Sequence, residues 1–328
     1  MIQSLDELSK ILEKTELASR QLAEMKILET GERAFVVEVD LANAFQSWEI
    51  LSSLKSRTGR CPIIVANFEK DSKWKDSFTN DTSTFSRNEF QDIWDDNGTY
   101  RRIKRDISPR SIIKRAEVLE IDAVLNAYSK AEEEAEWRHA DLEEIEWQVD
   151  QTKRDFGIAL SVSEVINALD GDNKKITQTQ LEAFLFKWEQ QHADSSQFLA
   201  RPGTILKYLS WYEPSPDEGM GIMLLPTLSS WHALAYMSFW GAEGSIETEK
   251  TMTVLKSWNQ WFGAELVAHY GTILNLLVQR VPSTEQAFQL AWEQDCVASC
   301  TIGLSGISLR ELARALLHTN RWFLHARP

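Results

Sequence analysis

Apolar positions along the N-terminal stretch change their spacing, and each change marks an element. Leu5, Leu8, Ile11, Leu12, Leu22 and Met25 fall at helical intervals, which predicts one amphipathic helix over residues 4–28. Ser4 caps it, Glu7 completes a capping box and Gly31 ends it. The run Phe35-Val36-Val37-Glu38-Val39 reads as a strand. The residues around Trp48, Ile50, Leu51 and Leu54 read as a helix closed by Thr58-Gly59-Arg60, and Pro62-Ile63-Ile64-Val65-Ala66 as a buried strand. Strand, helix, strand with short joins predicts a βαβ unit with parallel strands and a right-handed crossover.

The pattern fades from about residue 67. Phe68 to Asn97 mixes charged and small polar residues with isolated aromatics, and reads as a long surface excursion. Residues 120–156 predict one long helix, acidic from Glu132 to Asp150, with a thin apolar stripe of Trp137, Leu142 and Ile145. Helices follow at 162–169 and 177–192. After Arg201-Pro202-Gly203 come a strand at 221–226 and helical segments near 230–238 and 247–261. Strands at 264–270 and 273–280, joined at Gly271-Thr272, lead to helices at 284–297 and 308–318 and a last strand at 321–327. That order is βα-ββ-αβ, a ferredoxin-like split βαβ unit. The expected fold class is α+β. An N-terminal helix and βαβ segment occupies 1–67, a mostly helical insertion 68–200 and an α+β domain 201–328, and the N-terminal strands are free to join the C-terminal sheet.

Composition narrows the partners more than the fold. The chain has 328 residues, 43% hydrophobic content and 13 Trp, enough apolar surface to fold. Its net charge of −14 repels nucleic acid and anionic membranes, so neither is expected as a partner. Residues 101–115 are locally basic, but the acidic stretch that follows offers charge pairing within the chain. Cys61, Cys296 and Cys300 are too few and too odd in number for a secreted disulfide framework. The acidic start of the chain lacks a signal peptide, and no stretch reaches the ~18 apolar residues of a membrane span. A cytoplasmic protein is expected.

Leu224-Leu225-Pro226-Thr227, then Trp231, Ala235-Tyr236 and Trp240-Gly241, resemble the opening motif of the bacterial domain-of-unknown-function family number 4253. Trp258, Gly263-Ala264-Glu265-Leu266-Val267, Gly271-Thr272, Pro282, Ala287, Leu309 and Trp322 continue the pattern over the last third of the chain. Trp48-Glu49-Ile50-Leu51 and Thr58-Gly59-Arg60-Cys61-Pro62 are similar to the segment that often precedes this domain. Many relatives follow the tyrosine with a Gly-Gly-Trp-Asn-like turn, where this chain has Phe239-Trp240-Gly241-Ala242-Glu243-Gly244. The resemblance implies fold and domain limits. It carries over no catalytic residue, because the family has none established.

Candidate chemistry lies on the C-terminal strands. Alternation places Glu265, Val267 and His269 on one side, with Asn275 and Gln279 beside them, and His325 and Arg327 on one side of the last strand. If the registers agree, Glu265, His269, Gln279, His325 and Arg327 gather on one polar face as an anion-binding or acid–base site. Two histidines and a carboxylate are also a metal-ligand set, though no spacing forces them together. The same residues suit a solvated sheet face. Trp231, Tyr236 and Trp240 are candidate ligand-binding aromatics. Cys296 and Cys300 read as small core residues. Asp170 to Thr177 departs from a calcium loop, with Lys175 where a glycine is required. No phosphate loop, metal site or cofactor motif is found, so no cofactor is expected. The reading is a non-catalytic protein- or ligand-binding or regulatory module with another protein as partner. The alternative is an enzyme using the polar sheet face.

Overall fold

The computed structural model describes residues 1–27, 32–69, 90–94, 99–157, 159–169, 176–194, 198, 211–214, 218–242 and 245–326. The chain is α+β, as expected, and divides into two units. The first comprises Met1–Glu120, Trp211–Val278 and Phe323–Pro328; the second comprises Ile121–Ser210 and Gln279–Trp322.

The first unit opens with α1 (Leu5–Leu12), β1 (Leu22–Lys26) and β2 (Arg33–Val39), then α2 (Ala44–Ser53), α3 (Lys55–Thr58) and β3 (Cys61–Glu69). The hairpin β4 (Phe90–Trp94) and β5 (Tyr100–Lys104) forms a sheet of its own before α4 (Pro109–Val118). The single helix expected over residues 4–28 is instead a helix and a strand. Thr15 stops the helix: its hydroxyl donates to the Leu12 carbonyl at 2.8 Å and accepts the Leu17 N–H at 3.1 Å. Leu22 to Lys26 then pairs with β2, because ladder bonds with a partner outweigh a helical spacing that only Leu22 and Met25 support.

The second unit begins with α5 (Ile121–Glu134), α6 (Leu142–Phe156), α7 (Val162–Leu169) and α8 (Gln178–His192). The one long helix expected over 120–156 breaks into α5 and α6. Glu136–Arg138 forms a 3-10 turn, His139 bridges Thr177, and Asp141 caps α6 by accepting the Glu144 N–H at 2.8 Å. The chain returns to the first unit through β6 (Glu218–Leu225), α9 (Ala233–Tyr236), α10 (Ser245–Phe262), β7 (Glu265–His269) and β8 (Ile273–Leu277). Helices α11 (Thr284–Val297), α12 (Cys300–Ser305) and α13 (Leu309–Leu316) belong to the second unit, and β9 (Arg321–His325) ends the described chain.

The main sheet runs β1-β2-β6-β3-β7-β8-β9. This is not the ferredoxin-like order expected of the C-terminal strands, which would place β6 between β8 and β9; here β2 and β3 flank β6, and β8 lies between β7 and β9. Strands β2 and β3 each pair antiparallel with β6, so they are parallel to one another as a βαβ unit requires, with β6 inserted between them. One face carries Phe35, Val37, Ile64, Ile222, Leu224 and Ala268 into a core with Leu8, Leu12, Trp48 and Leu51 from α1 and α2. Val36, Met223 and Ile63, opposite one another on the other face, are equally buried. Burial on both faces explains why these strands read as continuous apolar runs.

Arg60 locks this arrangement. It is 2% exposed, donates to the Ile2 carbonyl through Nε and Nη2 (3.2 and 3.0 Å), and reaches the Leu224 carbonyl at 3.2 Å and the Arg33 carbonyl. Its guanidinium lies 4.3 Å from the Phe35 ring centroid. Burial pulls its pKa down to about 10 against the charge of Glu32, so it stays protonated at neutral pH. Gly59 beside it has φ 68°, and a Cβ there would sit 2.7 Å from the Met1 Cα, so the turn demands glycine.

The second unit packs Ile145, Val149, Val165, Leu181 and Leu185 around a buried ionic cluster. Glu189 of α8, fully buried, accepts from Arg310 and from Arg314 of α13, the latter at 2.5 Å, and from the Thr152 hydroxyl of α6 at 2.9 Å. Arg310 also donates to Gln148, to Thr152 at 2.8 Å, and through its backbone N–H to Glu182 at 3.0 Å. Removing one partner of such a cluster leaves a desolvated charge, which costs more than the pair itself contributes. Glu189→Ala is therefore expected to destabilise the protein by about 3–5 kcal/mol in urea unfolding; a loss under about 1 kcal/mol would show that the cluster is not held dry.

Candidate functional site

Glu265 and His269 of the sheet-face set predicted from sequence do not share a face. A bulge at Val267 shifts the β7–β8 register: Glu265 lies opposite Leu277, but His269 lies opposite Leu274. Residues directly opposite share a face, and Leu274 and Leu277 are three positions apart, so Glu265 and His269 point to opposite faces. Alternation along an unbroken strand was the assumption that failed. Glu265 is held by Lys55 of α3, with Nζ 2.6 Å from Oε2. His269 is buried, accepts the Gly271 N–H through Nδ1 at 3.2 Å and stands edge-on to Phe239, ring centroids 6.2 Å apart. Asn275, on the Glu265 side, donates to the Tyr212 carbonyl at 3.2 Å. His325 lies in β9 beside Phe323, and Arg327 is outside the described residues. Among the described residues no three His, Cys, Asp or Glu side chains are grouped to hold a metal ion.

Trp231 and Tyr236 bracket the turn that follows β6. Tyr236 is buried, and its hydroxyl donates a long 3.4 Å bond to the Pro226 carbonyl. Burial, then the charge of Glu32, pushes its pKa up to about 12 against Arg110 and Arg60. Trp231 stands edge-on to His232, centroids 4.0 Å apart, with the Lys256 ammonium 6.0 Å from its ring. The Trp240 side chain is outside the described residues.

Between them lies a pair that sequence reasoning missed. Thr227 Oγ1 accepts the Ser229 N–H at 3.2 Å and sits 2.7 Å from His232 Nδ1. The hydroxyl keeps both its proton and a second lone pair for Nδ1, so the ring tautomer sets which of the two donates. Nε2 is buried and has no hydrogen-bond partner among the described residues. Burial lowers the His232 pKa, opposed by the charge of Glu117. The signal in the sequence was a hydroxyl residue directly after the strand-ending Pro226, five positions before a histidine.

The second unit holds a cleft of about 240 Å³. Ser129, Glu132 and Glu133 come from α5, Thr179 and Ala183 from α8, and Phe288 and Trp292 from α11. Glu132 is pinned by two neutral donors: the Thr179 hydroxyl meets Oε1, and the Trp292 indole N–H meets Oε2 at 3.0 Å. Asp295, near by on α11, receives Arg138 at 3.0 Å. The Cys296 thiol is half-buried rather than in the core, and its pKa is pushed up by burial and by the charges of Asp295 and Glu132. It is therefore no thiolate nucleophile.

Glu132 also opens the acidic stretch. Nine carboxylates and one arginine lie between Glu132 and Asp150. Ile145 of the expected apolar stripe turns into the core, while Trp137 and Trp147 are 72% and 54% exposed. Trp147 has Glu143, Glu144 and Asp150 at neighbouring helical positions, and Arg138 lies 4.5 Å from the Trp137 ring centroid. The basic stretch 101–115 is partly neutralised within the first unit, where Arg105 and Arg115 reach Glu249 and Arg110 reaches Glu32.

Residues 221–325 match the family described as Domain of unknown function (DUF4253), a stretch that runs from within β6 to the end of β9 and includes the Thr227–His232 turn. No curated protein and no solved structure matches the chain. No described helix is long and apolar enough to cross a membrane.

The His232 pair generates a pH prediction. Its folded pKa lies below the ordinary histidine value of about 6.5, so in the unfolded chain the imidazole takes up a proton that the folded site refuses. Stability from His232 is thus full above about pH 6.5 and declines as pH falls below it. The melting-temperature difference between wild type and His232→Asn should shrink between about pH 7 and pH 5. A difference constant over that range would mean that His232 is not linked to folding.

Proposed function

We propose that this chain is a non-catalytic binding protein of the bacterial cytoplasm, whose recognition surface is the acidic, tryptophan-bearing segment Glu132–Asp150. Its partner is another protein that offers a lysine- and arginine-rich segment. The exposure of Trp137 and Trp147 among nine carboxylates carries the reading. Large aromatics left in water are the side chains from which binding hot spots are made, and their faces attract cations. The surrounding carboxylates steer a basic segment toward them and repel acidic competitors. A net charge of −14 argues in the same direction, against nucleic acid and anionic lipid. The free thiols accord with a reducing compartment. The enzyme alternative on the sheet face has less support, because Glu265 and His269 occupy opposite faces.

The test uses a fluorescent peptide of alternating lysine and leucine, followed by anisotropy on the full chain. Replacing Trp137 and Trp147 by alanine removes both rings and no charge, and should weaken binding by about tenfold. An unchanged affinity, or equal binding of an alternating glutamate and leucine peptide, would contradict the proposal.

A further inference from the structure

The cleft beside Glu132 stands where the acidic segment begins, and its construction suits one kind of occupant. A carboxylate offers about four lone-pair directions, and the Glu132 bonds from Thr179 and Trp292 use two of them. Both donors are neutral, so neither brings a countercharge to the carboxylate. Glu133, on the same rim, is exposed and adds a second negative charge. Phe288 and Trp292, four residues apart on α11, supply apolar wall, and the small side chain of Ala183 lines the cleft as well. The volume of about 240 Å³ is below the range of drug-sized ligand pockets and is on the scale of one side chain.

We infer that this cleft is an anchor pocket for a lysine or arginine side chain of the basic partner segment, with the alkyl stem against Phe288 and Trp292 and the cationic head on Glu132 and Glu133. The inference rests on the partner reading above and adds a defined seat to it. An organic cation satisfies both halves of the lining at once. An anion would meet two carboxylates, and a neutral apolar group would leave the free lone pairs of Glu132 unmet. No three His, Cys, Asp or Glu side chains are grouped there to hold a metal ion among the described residues. No bond is made or broken in the step; the cleft only binds.

The experiment titrates the full chain with n-butylammonium, n-butylguanidinium and n-butanol, reading the indole N–H resonance of Trp292, assigned by its loss in Trp292→Phe. That proton donates to Glu132 and reports directly on the carboxylate. A saturable shift with a cation in the millimolar range, none with n-butanol, and affinity about tenfold lower in Glu132→Gln are expected. An equal response to n-butanol, no response to either cation, or unchanged affinity in a folded Glu132→Gln protein would overturn the assignment. Should Glu132→Gln lose its folded spectrum, Glu133→Gln replaces it, with about a threefold loss expected and an unchanged affinity overturning. If the small cations fail while the peptide still depends on Trp137 and Trp147, the cleft assignment falls and the partner reading stands.

Discussion

A buried arginine holds the first unit together. Arg60 donates to carbonyls of the N-terminal segment, of β2 and of β6, at Ile2, Arg33 and Leu224, and it does so from the start of β3, the strand that separates β6 from β7. A guanidinium is suited to this position because its fan of donors satisfies several carbonyls at once while its flat face lies on Phe35. Once it is buried, any register that moves Ile2, Arg33 or Leu224 leaves a charge without partners, and that cost singles out one pairing. The neighbouring Gly59 is bound to the same constraint, since its positive φ and its contact with Met1 bring the N-terminal segment within reach.

The stretch that matches a known family is therefore not a sheet by itself. Strand β7 and most of β6 lie within residues 221–325, yet β3, from the N-terminal half, fills the gap between them. The motif Thr58-Gly59-Arg60-Cys61-Pro62 thus has a structural reading of its own. Thr58 accepts the Ile2 N–H at 2.8 Å, Gly59 makes the turn, Arg60 clamps, and the Pro62 carbonyl accepts the Trp48 indole N–H at 3.0 Å.

The α+β class, the βαβ unit and the helices near residues 162–169 and 177–192 were legible because period and caps agree there, as in the Thr177–Gln180 capping box. The strand order was not, because nothing local in β6 or β7 records which strand lies between them. The helix expected over 4–28 failed where Leu22 and Met25 fit both a helical and an alternating pattern, and only pairing with β2 decides between them. The candidate sheet face failed at one residue, since a bulge at Val267 inverts the alternation and sequence carries no mark of it. The acidic stretch and Trp137 were visible at once. The cleft was not, because it joins side chains more than a hundred residues apart, as in the Trp292–Glu132 bond.

Two of the residues expected on the polar sheet face, Glu265 and His269, have structural partners instead. Glu265 is tied to Lys55, His269 is inside, and the charge cluster around Glu189 is buried. The exposed Trp137 and Trp147 and the carboxylates around them lie in the second unit. Hydrogen–deuterium exchange on the full chain, with and without the lysine–leucine peptide, tests that account most directly. Slowed exchange confined to Glu132–Asp150 and to the turn of α11 around Trp292 is the predicted result. Protection at the Pro226–Tyr236 turn instead, or no protection in the second unit, would contradict it.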